Sequence, residues 1–192
     1  MHPVRIGTCG WSYKEWSGVF YPRGLAPGDY LSYVAQHYPI VEVDSTFYRS
    51  LSSRMVEGWR DHTPSGFGFS LKVPQVITHE KTLLDCGQGV DSFLAAARLL
   101  GEKLLCCCLQ FAYLNRGKFA SLNAFLDRLE PFLAAWPAEV PLAVEVRNSA
   151  TRAQHRAGTT TQIAANPWGQ GTHRCPLSGL PTTASSRGID SP

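Results

Sequence analysis

The 192-residue chain is long enough for one domain with a substantial core, and a hydrophobic content of 44% is ordinary for a globular protein. Its net charge of +3 is unevenly distributed along the chain: residues 1–149 contain 14 basic and 14 acidic side chains, whereas residues 150–192 contain four Arg and one Asp. This balance makes a nucleic acid or an acidic membrane an unfavoured partner, because no basic surface is expected on the folded part.

The six cysteines do not form a disulfide or zinc-binding pattern. Cys106, Cys107 and Cys108 are consecutive in an apolar run, where they act as small hydrophobic residues, and no CxxC pair occurs. The N-terminus lacks the apolar core of a signal peptide, and no apolar run approaches the ~18 residues of a membrane span. We therefore expect a cytoplasmic protein without membrane association.

Short apolar runs alternate with amphipathic segments along the first three quarters of the chain. The predicted strands lie at residues 4–7, within 40–49, and at 67–73, 104–111 and 142–147. Four helices are predicted from their apolar faces. The second helix begins at a Ser52 or Ser53 cap, and Pro131 kinks or splits the fourth. The inward faces are formed by Leu31, Val34, Ala35 and Tyr38; by Met55, Val56 and Trp59; by Phe93, Leu94, Ala97 and Leu100; and by Leu122, Phe125, Leu126 and Leu129. Five strands and four helical connections predict an α/β fold with one parallel sheet.

The composition changes abruptly after Ser149. Residues 150–192 are rich in Thr, Gly, Ser, Pro and Arg, with Trp168 as the single aromatic residue. Such a segment buries too little apolar surface to offset its ordering entropy, so we expect a disordered tail. The chain is thus divided into residues 1–149 and 150–192. An interaction tail or functional linker is the alternative.

Charged and amide side chains share one phase of several predicted strands. Val41 and Val43 face one way and Glu42 and Asp44 the other. The same pattern places further polar side chains near strand ends, namely Lys72, Gln110, Glu145 and Arg147. A parallel sheet is normally covered on both faces, so these groups are expected to meet in a buried ion network or a site.

Four sequence blocks resemble those of the YecE-like family, known as domain of unknown function 72 (DUF72). They lie at residues 7–22, beginning Gly-Thr-Cys-Gly-Trp-Ser-Tyr, and at 41–48, 67–80 and 144–148, the last reading Val-Glu-Val-Arg-Asn. The resemblance implies a TIM-type (β/α) barrel, of which this chain would supply a partial barrel of about five of eight strands. Ala150 follows Ser149 where the family continues with Trp, so we hypothesise a truncated or frame-shifted reading frame after about residue 149.

Reactive groups of such barrels cluster at the carboxyl ends of the strands. The predicted catalytic residues are Glu42, Lys72, His79, Glu145 and Arg147. Glu42 or Glu145 would be the general acid or base, Lys72 or Arg147 would hold the substrate, and His79, supported mainly by the family block, would carry a proton. The predicted substrate-binding residues are Trp11, Tyr13, Asp44, Tyr48, Gln110 and Asn148.

Each of these assignments has a structural alternative. The charged residues could form an ion network that fills the barrel mouth, and the loop with Trp11, Tyr13, Trp16, Phe20 and Tyr21 could be a satellite hydrophobic cluster rather than a lid over a ligand. His79 could be an ordinary surface or hydrogen-bonding residue.

No cofactor is predicted, since the sequence has neither a phosphate-binding loop nor a dinucleotide fingerprint, and no metal-binding spacing is present. We expect the intact parent to be an enzyme using acid–base chemistry on a small polar or anionic substrate. The alternative is a non-catalytic barrel that binds a ligand or a partner. For this chain we expect impaired function, and self-association through two unpaired sheet edges.

Overall fold

One six-stranded sheet organises the molecule, in the strand order β1-β2-β3-β4-β5-β6. A computed structural model describes residues 4–111 and 117–146, and the backbone alone of residues 161–165. The strands are β1 (Thr8–Cys9), β2 (Ile40–Val43), β3 (Gly68–Lys72), β4 (Leu104–Phe111), β5 (Leu142–Val146) and β6 (Thr161–Ala165). The first five are parallel to their neighbours, which confirms the predicted α/β fold with a parallel sheet.

Four α-helices connect the strands: α1 (Tyr30–His37), α2 (Ser53–Asp61), α3 (Gly87–Ala97) and α4 (Leu122–Ala135). Ser52 caps α2 by accepting a hydrogen bond from the Met55 amide at 3.3 Å. Pro131 lies inside α4, which continues past it to Ala135 instead of splitting there. No helix in the described ranges is long and apolar enough to cross a membrane.

The side of the sheet that faces the helices is wholly apolar. Val41, Phe69, Leu71, Cys107 and Leu109 alternate along three neighbouring strands and are fully buried. They join one continuous core with helix residues such as Val56, Trp59, Phe93, Leu94 and Phe125. The opposite phase of the same strands therefore forms the inner face, which carries the polar side chains.

The first strand begins later than predicted. Residues 4–7 are not a strand, and Val4 and Ile6 are 59% and 60% exposed. Strand β1 pairs with β2 only from Thr8, opposite Val41, and β2 itself starts at Ile40. Residues before Gly7 therefore have no strand beside them to pair with. Met55 also differs from the prediction, because it is 37% exposed in the first turn of α2 while Val56 is buried.

Strand β6 falls inside the segment predicted to be disordered. It pairs antiparallel with β5, from Leu142 opposite Ala165 to Val146 opposite Thr161. The β-branched Thr161 and Ile163 favour a strand, and the edge of β5 offers unpaired main-chain groups. The edge of β5 is thus occupied, and β6 is the last strand on this side of the sheet. The other residues of 150–192 lie outside the described residues.

Candidate functional site

An ion pair between β2 and β3 lies at the centre of the inner face. The Lys72 Nζ atom is 3.1 Å from Oε1 of Glu42, and the two side chains are 15% and 31% exposed. Burial alone would lower the pKa of Lys72, but the charge and hydrogen bond of Glu42 outweigh it and raise the pKa. Lys72 therefore keeps its positive charge throughout the physiological range, beside a carboxylate that solvent can reach.

Cys9 on β1 completes a three-residue cluster with this pair. It lies opposite Glu42 in the parallel register, and its thiol donates to Oε1 of Glu42 at 3.5 Å. Burial raises the pKa of Cys9 to about 11, helped by the negative charges of Glu42 and Asp44. The thiol is therefore protonated at neutral pH and acts here as a weak hydrogen-bond donor rather than a thiolate nucleophile.

Tyr13 and Asp44 lie beside this cluster, brought together by Gly10. Gly10 has a φ of +73°, and an added Cβ would lie 2.9 Å from the Tyr13 hydroxyl and 3.2 Å from Oδ1 of Asp44. The Tyr13 hydroxyl donates to the Cys9 carbonyl at 2.5 Å. Burial, and then the charge of Asp44, raise the pKa of Tyr13, so its hydroxyl stays protonated. The glycine allows both polar groups to approach the ends of β1 and β2.

Thr46 is a site-shaping residue that sequence reasoning missed. It is 1% exposed, and its hydroxyl lies 2.9 Å from the Val43 carbonyl and 2.6 Å from the Lys72 carbonyl. The hydroxyl thus links the end of β2 to the end of β3, directly behind the ion pair. The available sequence signal was its position shortly after the alternating residues 41–44, and the structure places it in a 3-10 turn, Asp44–Phe47.

A second polar pair lies on β4 and β5 of the same face. Gln110 is directly opposite Glu145 in the register, and its Nε2 donates to Oε2 of Glu145 at 2.6 Å. Lys72 is opposite Cys108, two residues before Gln110. The Gln110–Glu145 pair is therefore displaced towards the carboxyl edge of the sheet relative to Lys72.

His79 is not part of the ion-pair cluster. It lies in a π-helical turn, Val76–Glu80, where its ring packs edge-to-face on Phe47 with centroids 5.0 Å apart. Its Nδ1 is 2.7 Å from the Thr78 hydroxyl. Burial, and then the charge of Lys118, lower the pKa of His79. Within the described residues, no hydrogen bond connects it to Glu42 or Lys72.

The remaining predicted site residues are dispersed. Trp11 packs edge-to-face on Trp59 of α2 at 5.6 Å, and belongs to the packing of the aromatic loop. That loop forms a second hydrophobic cluster around Tyr21, as the satellite-cluster interpretation expected. Tyr48 is 69% exposed on the far side of Phe47. Arg147 and Asn148 lie outside the described residues.

Among the described residues, the inner face offers carboxylates, the Lys72 cation, and protonated hydroxyl and thiol donors. In the described part of the chain, no three His, Cys, Asp or Glu side chains are grouped so that they could hold a metal ion. Chemically, a lysine ammonium can neutralise an anionic group, and a carboxylate beside it can accept a proton.

Comparisons with known proteins match this chain to one family. The model of the DUF72 family, "Protein of unknown function DUF72", matches residues 5–166. The UPF0759 protein YecE of Escherichia coli is 30% identical over 146 residues, which cover 76% of this chain and 48% of YecE. The UPF0759 protein YunF of Bacillus subtilis is 35% identical over 75 residues, or 39% of this chain and 26% of YunF.

Solved structures agree with the fold. A DUF72 family protein from Thermotoga maritima superimposes with a TM-score of 0.63 and 30% identity, covering 78% of this chain and 57% of the other. A DUF72 family protein from Enterococcus faecalis gives a TM-score of 0.55 at 23% identity, which supports the fold alone. The chain spans about half the length of YecE and of these structures. On the family match over most of its length, this chain belongs to the DUF72 family of uncharacterised proteins.

Proposed function

We propose that the inner face binds a small polar or anionic ligand and that, in the intact barrel, one of its carboxylates performs acid–base chemistry on that ligand. The observation that carries this proposal is the Glu42–Lys72 ion pair, held at 3.1 Å where both side chains still have some exposure. Partial exposure lowers the desolvation cost of the pair and also leaves both charged groups within reach of a ligand.

The role of each residue follows from its position. Lys72 offers a fixed positive charge to a carboxylate, phosphate or developing oxyanion, and Glu42 lies within one hydrogen bond of the same point. The Gln110 amide already donates to Glu145, which orients that carboxylate as a second acid–base candidate. Cys9 and Tyr13 add neutral donors.

Ligand screening on the full chain tests the binding half of the proposal. Small hydroxy acids, phosphates and dicarboxylates are screened by thermal shift and titration calorimetry, with Lys72→Met as the test variant. Arg98→Met is the matched control, because it removes the exposed ion pair with Glu139. We expect anion binding to be lost in Lys72→Met and retained in Arg98→Met. Equal binding by both variants would contradict the proposal.

Turnover distinguishes an enzyme from a binding barrel. Ligands retained by the chain are incubated with the wild-type, Glu42→Gln and Glu145→Gln proteins and followed by NMR. Product formation that is lost in either variant supports acid–base catalysis. Retention of the ligand without turnover, by this chain and also by the longer DUF72 protein from Thermotoga maritima, supports the alternative of a non-catalytic ligand-binding barrel. The packing of His79 on Phe47, rather than on the ion pair, favours this alternative.

We also keep the proposal that this chain is functionally impaired by a change of reading frame near residue 149. It is supported by the compositional change there, although the family match extends to residue 166. The other reading frames of the encoding DNA test it: a barrel-like continuation in one of them supports the proposal, and its absence from all of them defeats it.

A further inference from the structure

A cleft outside the inner face separates the loop after β2 from the turn after β3. Its volume is about 510 Å³, within the usual range of roughly 300–1,000 Å³ for small-molecule sites. Its lining shares no residue with the Glu42–Lys72 or Gln110–Glu145 pairs. It is therefore a separate place for a ligand.

The lining of the cleft combines apolar and polar side chains. Its apolar part includes the half-buried side chains of Phe47, Leu51 and Val76, and Phe93, which is only 3% exposed. Tyr48, 69% exposed, adds an aromatic ring to the rim, packed edge-to-face on Phe47 with centroids 5.0 Å apart. Such a surface suits the flat or branched apolar body of a ligand.

The charged groups of the cleft favour an anion. Arg49 and Lys81 line it together with one acid, Glu80. The guanidinium of Arg49 makes no hydrogen bond or ion pair within the described part of the chain, so its planar donors are available for a carboxylate. The Lys81 ammonium donates one hydrogen bond to the Asp85 carbonyl at 2.5 Å, so two of its three N–H groups remain for other acceptors.

The backbone around Lys81 is unusual. The preceding turn, Val76–Glu80, is π-helical, a conformation that is common at functional sites. Thr82, Leu83 and Asp85 follow with positive φ values of 48°, 69° and 47°. Non-glycine residues in this region each cost on the order of 1–3 kcal/mol, and they persist where the surroundings fix the chain. These three residues lie between Lys81 and Cys86, which both line the cleft.

We propose that this cleft is a second ligand site, which binds a small carboxylate with an aromatic or branched apolar body. Arg49 binds the carboxylate, and Tyr48, Phe47 and Val76 contact the apolar body. Phe47 also packs on His79, so an occupied cleft alters the surroundings of that histidine.

Binding of 2-naphthoate to the full chain, followed by its fluorescence and by calorimetry, tests the proposal. The uncharged 2-naphthamide and acetate, which lacks an apolar body, are the ligand controls. We expect 2-naphthoate to bind more tightly than either. Arg49→Gln should weaken 2-naphthoate at least fivefold and leave 2-naphthamide unchanged, whereas Tyr48→Ala should weaken both aromatic probes.

Two variants keep this test separate from that of the inner face. Arg23→Gln removes another exposed arginine that does not line the cleft, and should bind 2-naphthoate normally. Lys72→Met should also bind it normally, because Lys72 lies on the inner face. Failure of 2-naphthoate to bind at millimolar concentration would overturn the proposal, and so would equal affinity in Arg49→Gln or loss of binding in Lys72→Met alone.

Discussion

The two faces of one sheet have opposite characters. On the helix side, Val41, Leu71 and Leu109 are 0% exposed and belong to the continuous apolar core. One residue along the same strands, Glu42, Lys72 and Gln110 carry charges or amides and keep some exposure. The difference teaches that alternation within a strand separates the residues that stabilise this fold from the residues that could act on a ligand.

The largest expected effect is on the helix side. Phe69→Ala removes a fully buried ring that packs on Phe67 and Trp59, and should cost about 3–5 kcal/mol of unfolding free energy. Ser70→Ala, on the inner face next to it, should cost about 1 kcal/mol, because only a hydrogen bond with the Cys106 sulfur is lost. Urea unfolding measures both, and equal losses would contradict the division between the faces.

A smaller loss of unfolding free energy is expected for Thr46, which lies where β2 and β3 end. Thr46→Val removes the hydroxyl that links the carbonyls of Val43 and Lys72, and should cost about 1–2 kcal/mol since a buried carbonyl loses its partner. Thr46→Ser keeps the hydroxyl and should recover much of the loss. If the serine variant were no more stable than the valine variant, packing of the methyl group rather than the hydrogen bond would be responsible.

On the inner face itself, Glu42→Gln should change reactivity more than stability. The carboxylate is one of the causes that raise the pKa of Cys9 to about 11, so its removal should lower that pKa. More thiolate is then present at pH 8–9, and alkylation of Cys9 by iodoacetamide should be several-fold faster. Peptide mass spectrometry measures the rate, with Glu139→Gln as a distant control. An unchanged rate would show that Glu42 contributes little to the pKa of Cys9.

The smallest expected effect is the pH dependence contributed by His79. Its folded-state pKa is lowered, mainly by burial, so the unfolded chain binds a proton more readily. The contribution is therefore fully present above the unfolded pKa of about 6.5 and is lost as the pH falls below it. His79→Asn should make unfolding free energy less dependent on pH between 7.5 and 5.5. A steeper dependence would reverse the inferred sign.

Much of this arrangement could be predicted from local sequence. Period-two alternation in β2 and the polar residues of β3, β4 and β5 correctly placed Glu42, Lys72, Gln110 and Glu145 on one face. The predicted limits of β4 match the observed strand, Leu104–Phe111, because an uninterrupted apolar run is typical of a strand buried on both sides.

The remaining features depend on long-range geometry. The separation of His79 from the ion pair follows from the π-helical turn, which no periodicity reveals. The contact of Trp11 with Trp59 depends on how the first loop crosses α2. Strand β6 pairs with the edge of β5, a partner that is distant from it in the sequence pattern and that local composition does not reveal.

The unequal margins of the sheet limit how copies of this chain could assemble. On one side of the sheet, β6 already pairs with β5. On the other, β1 contains two residues, and Gly7 just before it approaches the Ile40 carbonyl so closely that a side chain would collide there. Main-chain pairing between molecules at this margin could form only a couple of bonds. A dimer built by lateral extension of the sheet at β1 should therefore be short-lived, and detectable only at high concentration.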